Sequence, residues 1–197
     1  MYPKIDCSDD FMEMLKSCPD QLSKVIKGFY SLDILLNDVL SKKIPNSNAL
    51  ELDRVTFLLK FDITAGLGCV VNGMRPLFSN VNSIRNKFAH NPYTIYGVDE
   101  FNKTKKILLQ SEVYRGNKII SEIDEPNEML NIAFFLCYAF IENGLKNIYR
   151  ENKYWELINK RMEKLLIPNE KITSKNKHDS EVEILLKKEF PKLFGDK

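Results

Sequence analysis

The chain has 197 residues, of which 44% are hydrophobic and 28% charged, enough apolar material for one domain with a real core and too much for a disordered chain. Its 29 basic residues against 27 acidic ones leave a formal net charge of +2, which excludes a global field strong enough to hold a long polyanion while leaving a local phosphate site open. Cys7, Cys18, Cys69 and Cys137 show no C-x-x-C spacing and are joined only by His90 and His178, so the expectation is reduced thiols with no metal and no cofactor.

The N-terminal "MYPKIDCSDDF" lacks the apolar stretch of a signal peptide, and the longest apolar run, "IAFFLCYAFI" at 132–141, is too short to span a bilayer. A cytoplasmic protein without membrane contact is expected. "SDDFMEMLKSC" predicts a short first helix with Ser8 as N-cap and acids in its first turn, broken by Pro19. From Asp20 to about Lys42, apolar residues recur at spacings of three and four, which predicts an amphipathic helix ended by "KKIPNSN".

A third helix is expected in "ALELDRVTFLLKFDITAGLGCVV", apolar over much of its circumference and so a buried element, with Gly66, Gly68 and Gly73 weakening its last turns. The glycines of "GLGCVVNG" match neither G-x-G-x-x-G nor G-x-x-x-x-G-K-[ST], so close helix packing is the better reading than a phosphate loop. Pro76 and Ser79 open a fresh helix that Asn91-Pro92 stops at His90. Another helix follows at about 98–110, then "VYRGNKII" around Gly116-Asn117, a two-residue hairpin signal. "NEMLNIAFFLCYAFIENGLKNIYR" and "KYWELINKRMEKLLI" predict two further helices up to Pro168. A polar linker over 169–180 and an amphipathic tail "EVEILLKKEF" complete the chain, so the helical domain is expected over 1–168 and the linker and tail over 169–197.

The stretch "NSIRNKFAH" at 82–90 carries the chemistry. On a helix turning about 100° per residue, Leu77, Val81, Ile84 and Phe88 form the core stripe. Arg85, Ala89, Asn82, Asn86 and His90 then follow in angular order across roughly 140° of the adjoining face. An imidazole near its reference pKa of about 6.5 can take or give a proton at neutral pH, and a guanidinium can neutralise charge building on phosphate oxygens. That pairing suits RNA cleavage with the 2′-hydroxyl as nucleophile and needs no metal. Arg85 and His90 are separated by about 7.5 Å along the axis, so they converge only by leaning over small Ala89 or where a second copy crosses there. A bland alternative stands beside this one: an Arg and a His at a helix C-terminus that simply engage the dipole and the last carbonyls. Asp33 and Asp62 sit on apolar helices and need a partner such as Arg85, and Tyr93 and Tyr96, just past the motif, are candidates for stacking on unpaired bases.

These residues resemble a known family. "RNKFAH" is similar to the R-[polar]-x-x-x-H pattern of the HEPN superfamily, and "FYSLDILLNDVL", "FLLKFDITAGLG" and "VNSIRNKFAH", in that order, resemble the mannitol operon repressor family over roughly residues 10–92. The resemblance implies an all-α fold, a HEPN-like up-and-down helical bundle, here with one minor β-hairpin, that pairs as a homodimer. It also implies Arg85 and His90 as the catalytic pair of a metal-independent endoribonuclease, with Asn86 in support and RNA cut at the dimer cleft, as in toxin–antitoxin and phage-defence systems. The narrower likeness implies instead a non-catalytic transcriptional regulator working through a protein partner. Both readings stay open on sequence.

Overall fold

A computed structural model describes residues 5–165 together with 184, 187 and 188, and every regular element in them is helical. The helices are α1 (Ser8–Ser17), α2 (Gln21–Lys43), α3 (Phe57–Gly66), α4 (Arg75–His90), α5 (Val98–Gln110), α6 (Lys118–Glu122) and α7 (Pro126–Leu165), with short 3-10 turns at Ser47–Leu50, Leu52–Arg54 and Asn72–Met74. No helix among the described residues is long and apolar enough to cross a membrane. The linker and tail expected beyond residue 168 lie outside the described residues, apart from helical positions 184, 187 and 188.

Two long helices form the spine. Asp20 starts α2 by accepting hydrogen bonds from the Ser23 backbone N–H at 2.7 Å and the Ser23 hydroxyl at 2.9 Å, and these bonds hold its carboxyl below the usual carboxylate range. Val25, Leu32, Leu36 and Val39 then point inward and are fully buried, as a 3.6-residue period requires. α7 runs beside α2 in the same direction, because Gln21 donates to Asn127 at 2.8 Å, Gly28 meets Phe134 and Lys43 reaches Glu151 at 2.6 Å. Each large side chain that this seam removes from water contributes about 1.5–3 kcal/mol. At 40 residues, α7 is about 60 Å long, one continuous rod where two helices were expected, since nothing in "RENKY" breaks a helix.

α1 packs antiparallel on α7: Phe11 stacks on Tyr138 with ring centroids 4.3 Å apart, and the Ser8 N–H donates to the Glu142 carboxylate at 3.1 Å. Ser8 is therefore the first helical residue and not the N-cap. Asp9 and Asp10 supply the expected acids in the first turn of α1, and Glu142 of α7 adds a buried carboxylate at the same end, beside Lys146.

Three expectations need correction. The third helix starts at Phe57 and not near residue 49, because residues 47–56 stay largely exposed and the left-handed Glu51 (φ 38°) separates two 3-10 turns; a helix without a buried face gains little from propensity alone. It ends in a Schellman motif, where Cys69 N–H donates to Thr64 C=O and Gly68 N–H to Ala65 C=O, both at 3.0 Å, around Gly68 at φ +73°. The hairpin at 113–120 is absent: Gly116 takes φ +72° in a turn, and Asn117 accepts from Ile120 N–H to cap α6. Asn117 acts as a helix N-cap, the role that competes with hairpin formation for the same residue type. Finally, α3 does not simply reverse α2. Phe29 meets Phe57 and Asp33 meets Lys60, so the segment 44–56 carries the chain back before α3 begins, a departure from strict up-and-down alternation.

Lys60 is 1% exposed, and its ammonium sits 2.8 Å from both oxygens of Asp33. The pair is asymmetric, because the Asp33 side chain keeps 31% of its exposure. Removing the acid strands a buried cation; removing the lysine leaves a carboxylate that water can reach. Asp33→Ala is therefore expected to lower stability by about 2–3 kcal/mol and Lys60→Met by less than about 1 kcal/mol. Urea midpoints for the two variants measure the difference, and equal midpoints would contradict the asymmetry.

Candidate functional site

α4 begins with Pro76 in its first turn, where a missing N–H costs nothing, and buries Leu77, Phe78, Val81, Ile84 and Phe88. That stripe fixes the rotation of the helix and so the direction of the polar strip beside it. Asn82, Arg85 and Asn86 are half-buried, and Ala89 and His90 are exposed at the C-terminal end. The strip is thus present as one surface, deep at Arg85 and open at His90.

Arg85 is held without an acid. Its Nη1 donates to Asn86 Oδ1 at 3.1 Å, and its guanidinium lies 5.1 Å from the centroid of the Phe29 ring on α2. Phe29 is itself packed at 4.4 Å against Phe57 on α3. Stacking on an aromatic face and bonding to an amide orient a guanidinium while leaving its charge uncompensated. Among the described residues Arg85 has no carboxylate partner.

The acids expected to serve it are engaged elsewhere. Asp33 pairs with Lys60, and Asp62 takes a two-point contact from Arg75, Nε at 2.7 Å and Nη2 at 3.0 Å. The Arg75 hydrogen bonds hold the Asp62 carboxyl below the usual carboxylate range. Each pair joins a residue of α3 to the neighbouring helix it faces, and neither belongs to the strip on α4.

His90 makes no side-chain hydrogen bond among the described residues. The carbonyl that a C-terminal histidine would be expected to cover, that of Lys87, instead accepts from the Asn91 N–H at 3.0 Å and from the Thr94 hydroxyl at 3.4 Å. The following loop satisfies that carbonyl, and the His90 side chain is exposed. Asn86, expected to serve either the imidazole or a phosphate oxygen, is engaged by Arg85.

The two tyrosines part company. Tyr93 lies in the turn that follows α4, closed by the Thr94 N–H to Asn91 C=O hydrogen bond at 3.0 Å; Tyr93 is 91% exposed and Ile95 73%, while Thr94 is half-buried and Tyr96 is 1% exposed. Tyr96 cannot stack on a base. Burial pushes its phenol up to about 12, and its hydroxyl makes no full hydrogen bond. Its backbone is gripped by Gln21, whose Oε1 accepts from Tyr96 N–H at 2.8 Å and whose Nε2 lies 3.5 Å from Tyr96 O. Gln21 and Phe29 are the site residues that sequence reasoning missed. The Phe29 contact crosses between helices and has no signature within either one.

Among the described residues no three of His, Cys, Asp and Glu come together as a metal-binding group. What the strip offers is an oriented guanidinium, an open imidazole and, between them, an exposed alanine that allows another surface to approach closely. Comparison of the chain with protein-family models, with curated proteins and with solved structures finds no match, so the resemblance over residues 10–92 rests on those residues alone.

Proposed function

We propose that this chain is a HEPN-like, metal-independent endoribonuclease of the toxin or phage-defence type, acting in the cytoplasm as a homodimer with RNA bound where two α4 helices meet. The observation that carries the reading is Arg85, a half-buried cation oriented by Phe29 and Asn86 with no acid to neutralise it among the described residues, on the same strip as the exposed His90, whose side chain makes no hydrogen bond among those residues. Such an arrangement suits an anion supplied from outside.

In this mechanism the RNA 2′-oxygen attacks the adjacent phosphorus while the bond from phosphorus to the 5′-oxygen breaks. An imidazole takes the proton of the 2′-hydroxyl, and an imidazolium returns one to the leaving 5′-oxygen. The products are a 2′,3′-cyclic phosphate and a 5′-hydroxyl. Arg85 balances the charge that accumulates on the non-bridging oxygens. The axial separation of Arg85 and His90, about 7.5 Å, is the reason for invoking the second copy: each strip then supplies part of one cleft, with the two Ala89 positions permitting contact. The purified chain is expected to cut single-stranded RNA in excess EDTA and leave cyclic phosphate ends, with His90→Ala slowing cleavage by about 10²–10⁴. Because His90 is exposed, the variant should keep its helical circular dichroism; undiminished cleavage would remove the assignment.

A second reading is favoured by a different observation. Ile26, Tyr30 and Ile34 are 40%, 51% and 48% exposed and lie one turn apart on α2, an apolar stripe suited to a protein partner. A regulator of the mannitol operon repressor kind, acting through such a partner, would use that stripe and need no chemistry from His90. An antitoxin would use it too.

A further inference from the structure

We infer that Cys18 and Lys24 form a peroxide-responsive cross-linking site, in which a sulfur–nitrogen bond ties the end of α1 to the start of α2. Lys24 is the residue that calls for it. Its side chain is 7% exposed, yet among the described residues the ammonium has neither a hydrogen bond nor an acid within ion-pair distance. Asp20, one turn before it, spends one oxygen on the Ser23 N–H and the other on the Ser23 hydroxyl. Lys60 and Glu142, the other buried charges among the described residues, are partnered by Asp33 and Lys146. A buried lysine without a counter-ion favours its neutral amine, which is the nucleophilic form, and burial holds Lys24 below the ordinary lysine range.

The packing of the first two helices sets a thiol opposite that amine. Leu15 of α1 lies against Gly28 of α2, its Cδ2 3.2 Å from where a Cβ at Gly28 would stand. The two helices are antiparallel, so one turn further along each toward their connection brings Cys18 to face Lys24. A charged Cys18 sulfur attracts the Lys24 ammonium and partly opposes the effect of burial. Cys18 is half-buried and in no disulfide, with its thiol directed to Met14 C=O at 3.3 Å, so a reagent as small as hydrogen peroxide suits the site and a bulky one does not.

The Cys18 thiolate attacks one oxygen of hydrogen peroxide, the O–O bond breaks, and a sulfenic acid forms as water leaves. The Lys24 nitrogen then attacks that sulfur; the S–OH bond breaks, and the departing hydroxide takes a proton from nitrogen. Thiol, amine and one peroxide thus give the S–N bond and two waters, sulfur losing the two electrons that peroxide gains. The product nitrogen is neutral, so the bond removes a cation that burial disfavours. An external thiol reverses the step by attacking sulfur and releasing the amine.

The test treats the reduced full chain with hydrogen peroxide, digests it with a protease that cuts before Asp20, and maps the peptides by mass spectrometry. The peptides carrying Cys18 and Lys24 are expected to be joined, lighter by two hydrogens than their sum, and to separate again with dithiothreitol. The link should be absent from Cys18→Ser, from Lys24→Arg, which keeps the charge without the nucleophile, and from Lys24→Met, which removes the charge; circular dichroism confirms that each variant is folded. Dimedone, a trap for sulfenic acid, reads the intermediate. Because a neighbouring amine competes at a high effective molarity, dimedone-labelled Cys18 is expected to be at least about tenfold more abundant in Lys24→Arg than in the parent. Equal labelling in the two, a link to Lys16 or Lys27 in place of Lys24, or a Cys18 that peroxide leaves unchanged would each overturn the inference. None of these readouts depends on RNA cleavage, so the site and the nuclease reading stand or fall separately.

Discussion

Gly144→Ala is expected to destabilise the protein by about 3 kcal/mol, at the upper end for overpacking a close-packed contact. A Cβ built at Gly144 would lie 2.1 Å from the carbonyl oxygen of Cys69 and 3.0 Å from its carbonyl carbon. The obstacle is backbone, pinned by the Schellman motif that ends α3, so it cannot rotate aside as a side chain would. Either α7 lifts off the loop or the loop after α3 is pushed out of its hydrogen bonds. The same substitution elsewhere supplies the control. Gly66, in the last turn of α3, has nothing within 4 Å of a new Cβ, and Ala there is expected to gain up to about 1 kcal/mol from helix propensity. Gly28 lies between: its Cβ would meet the Phe134 ring at 2.8 Å and Leu15 at 3.2 Å, atoms that can shift at a cost of about 1–2 kcal/mol. Urea unfolding of the three variants should rank Gly66→Ala, Gly28→Ala, Gly144→Ala from most to least stable. A Gly144→Ala midpoint matching that of Gly66→Ala would show that α7 does not approach the 67–70 loop so closely.

The parts of this fold that were readable from sequence are those where a single helix carries its own signal. α2 follows from apolar spacing, and α4 stops where Asn91-Pro92 stops it. Readings that failed depended on partners. Whether residues 49–56 become helix is decided by whether anything covers them, and they stay largely exposed. Whether Gly116-Asn117 turns a hairpin or starts a helix is decided by what packs beyond it, and Ile120 and Ile123 there are buried. Charges behave similarly. Asp33 and Asp62 were recognisable as acids in need of partners, but Lys60, Arg75 and Arg85 all satisfy that need chemically, and only the rotation of α3 between α2 and α4 assigns them. The candidate strip lay on one helix and could be laid out residue by residue; the aromatic floor beneath Arg85 comes from another helix and could not.

That floor leads to the prediction with the largest consequence for activity. Arg85→Ala is expected to lower the cleavage rate by about 10²–10³, the usual loss on removing one donor aimed at developing transition-state charge. Its effect on unfolding should stay near about 1 kcal/mol, the sum of a cation–π contact with Phe29 and one hydrogen bond to an amide. A large loss of rate with a small loss of stability distinguishes a group that meets substrate from one that braces α2 against α4. Arg85→Lys sharpens the distinction: it keeps the positive charge but loses the planar fork and much of the stacking on Phe29, so it should recover only about tenfold of what Ala loses. Phe29→Leu removes the aromatic face while sparing the cation, and is expected to reduce rate severalfold by letting Arg85 wander. If instead all three variants lose stability and rate in proportion, or Arg85→Ala cuts RNA as fast as the parent, Arg85 is an inter-helix brace. The anion that its uncompensated charge calls for would then have to be sought in a binding partner, which is where the exposed stripe of Ile26, Tyr30 and Ile34 on the same helix as Phe29 would become the surface to follow.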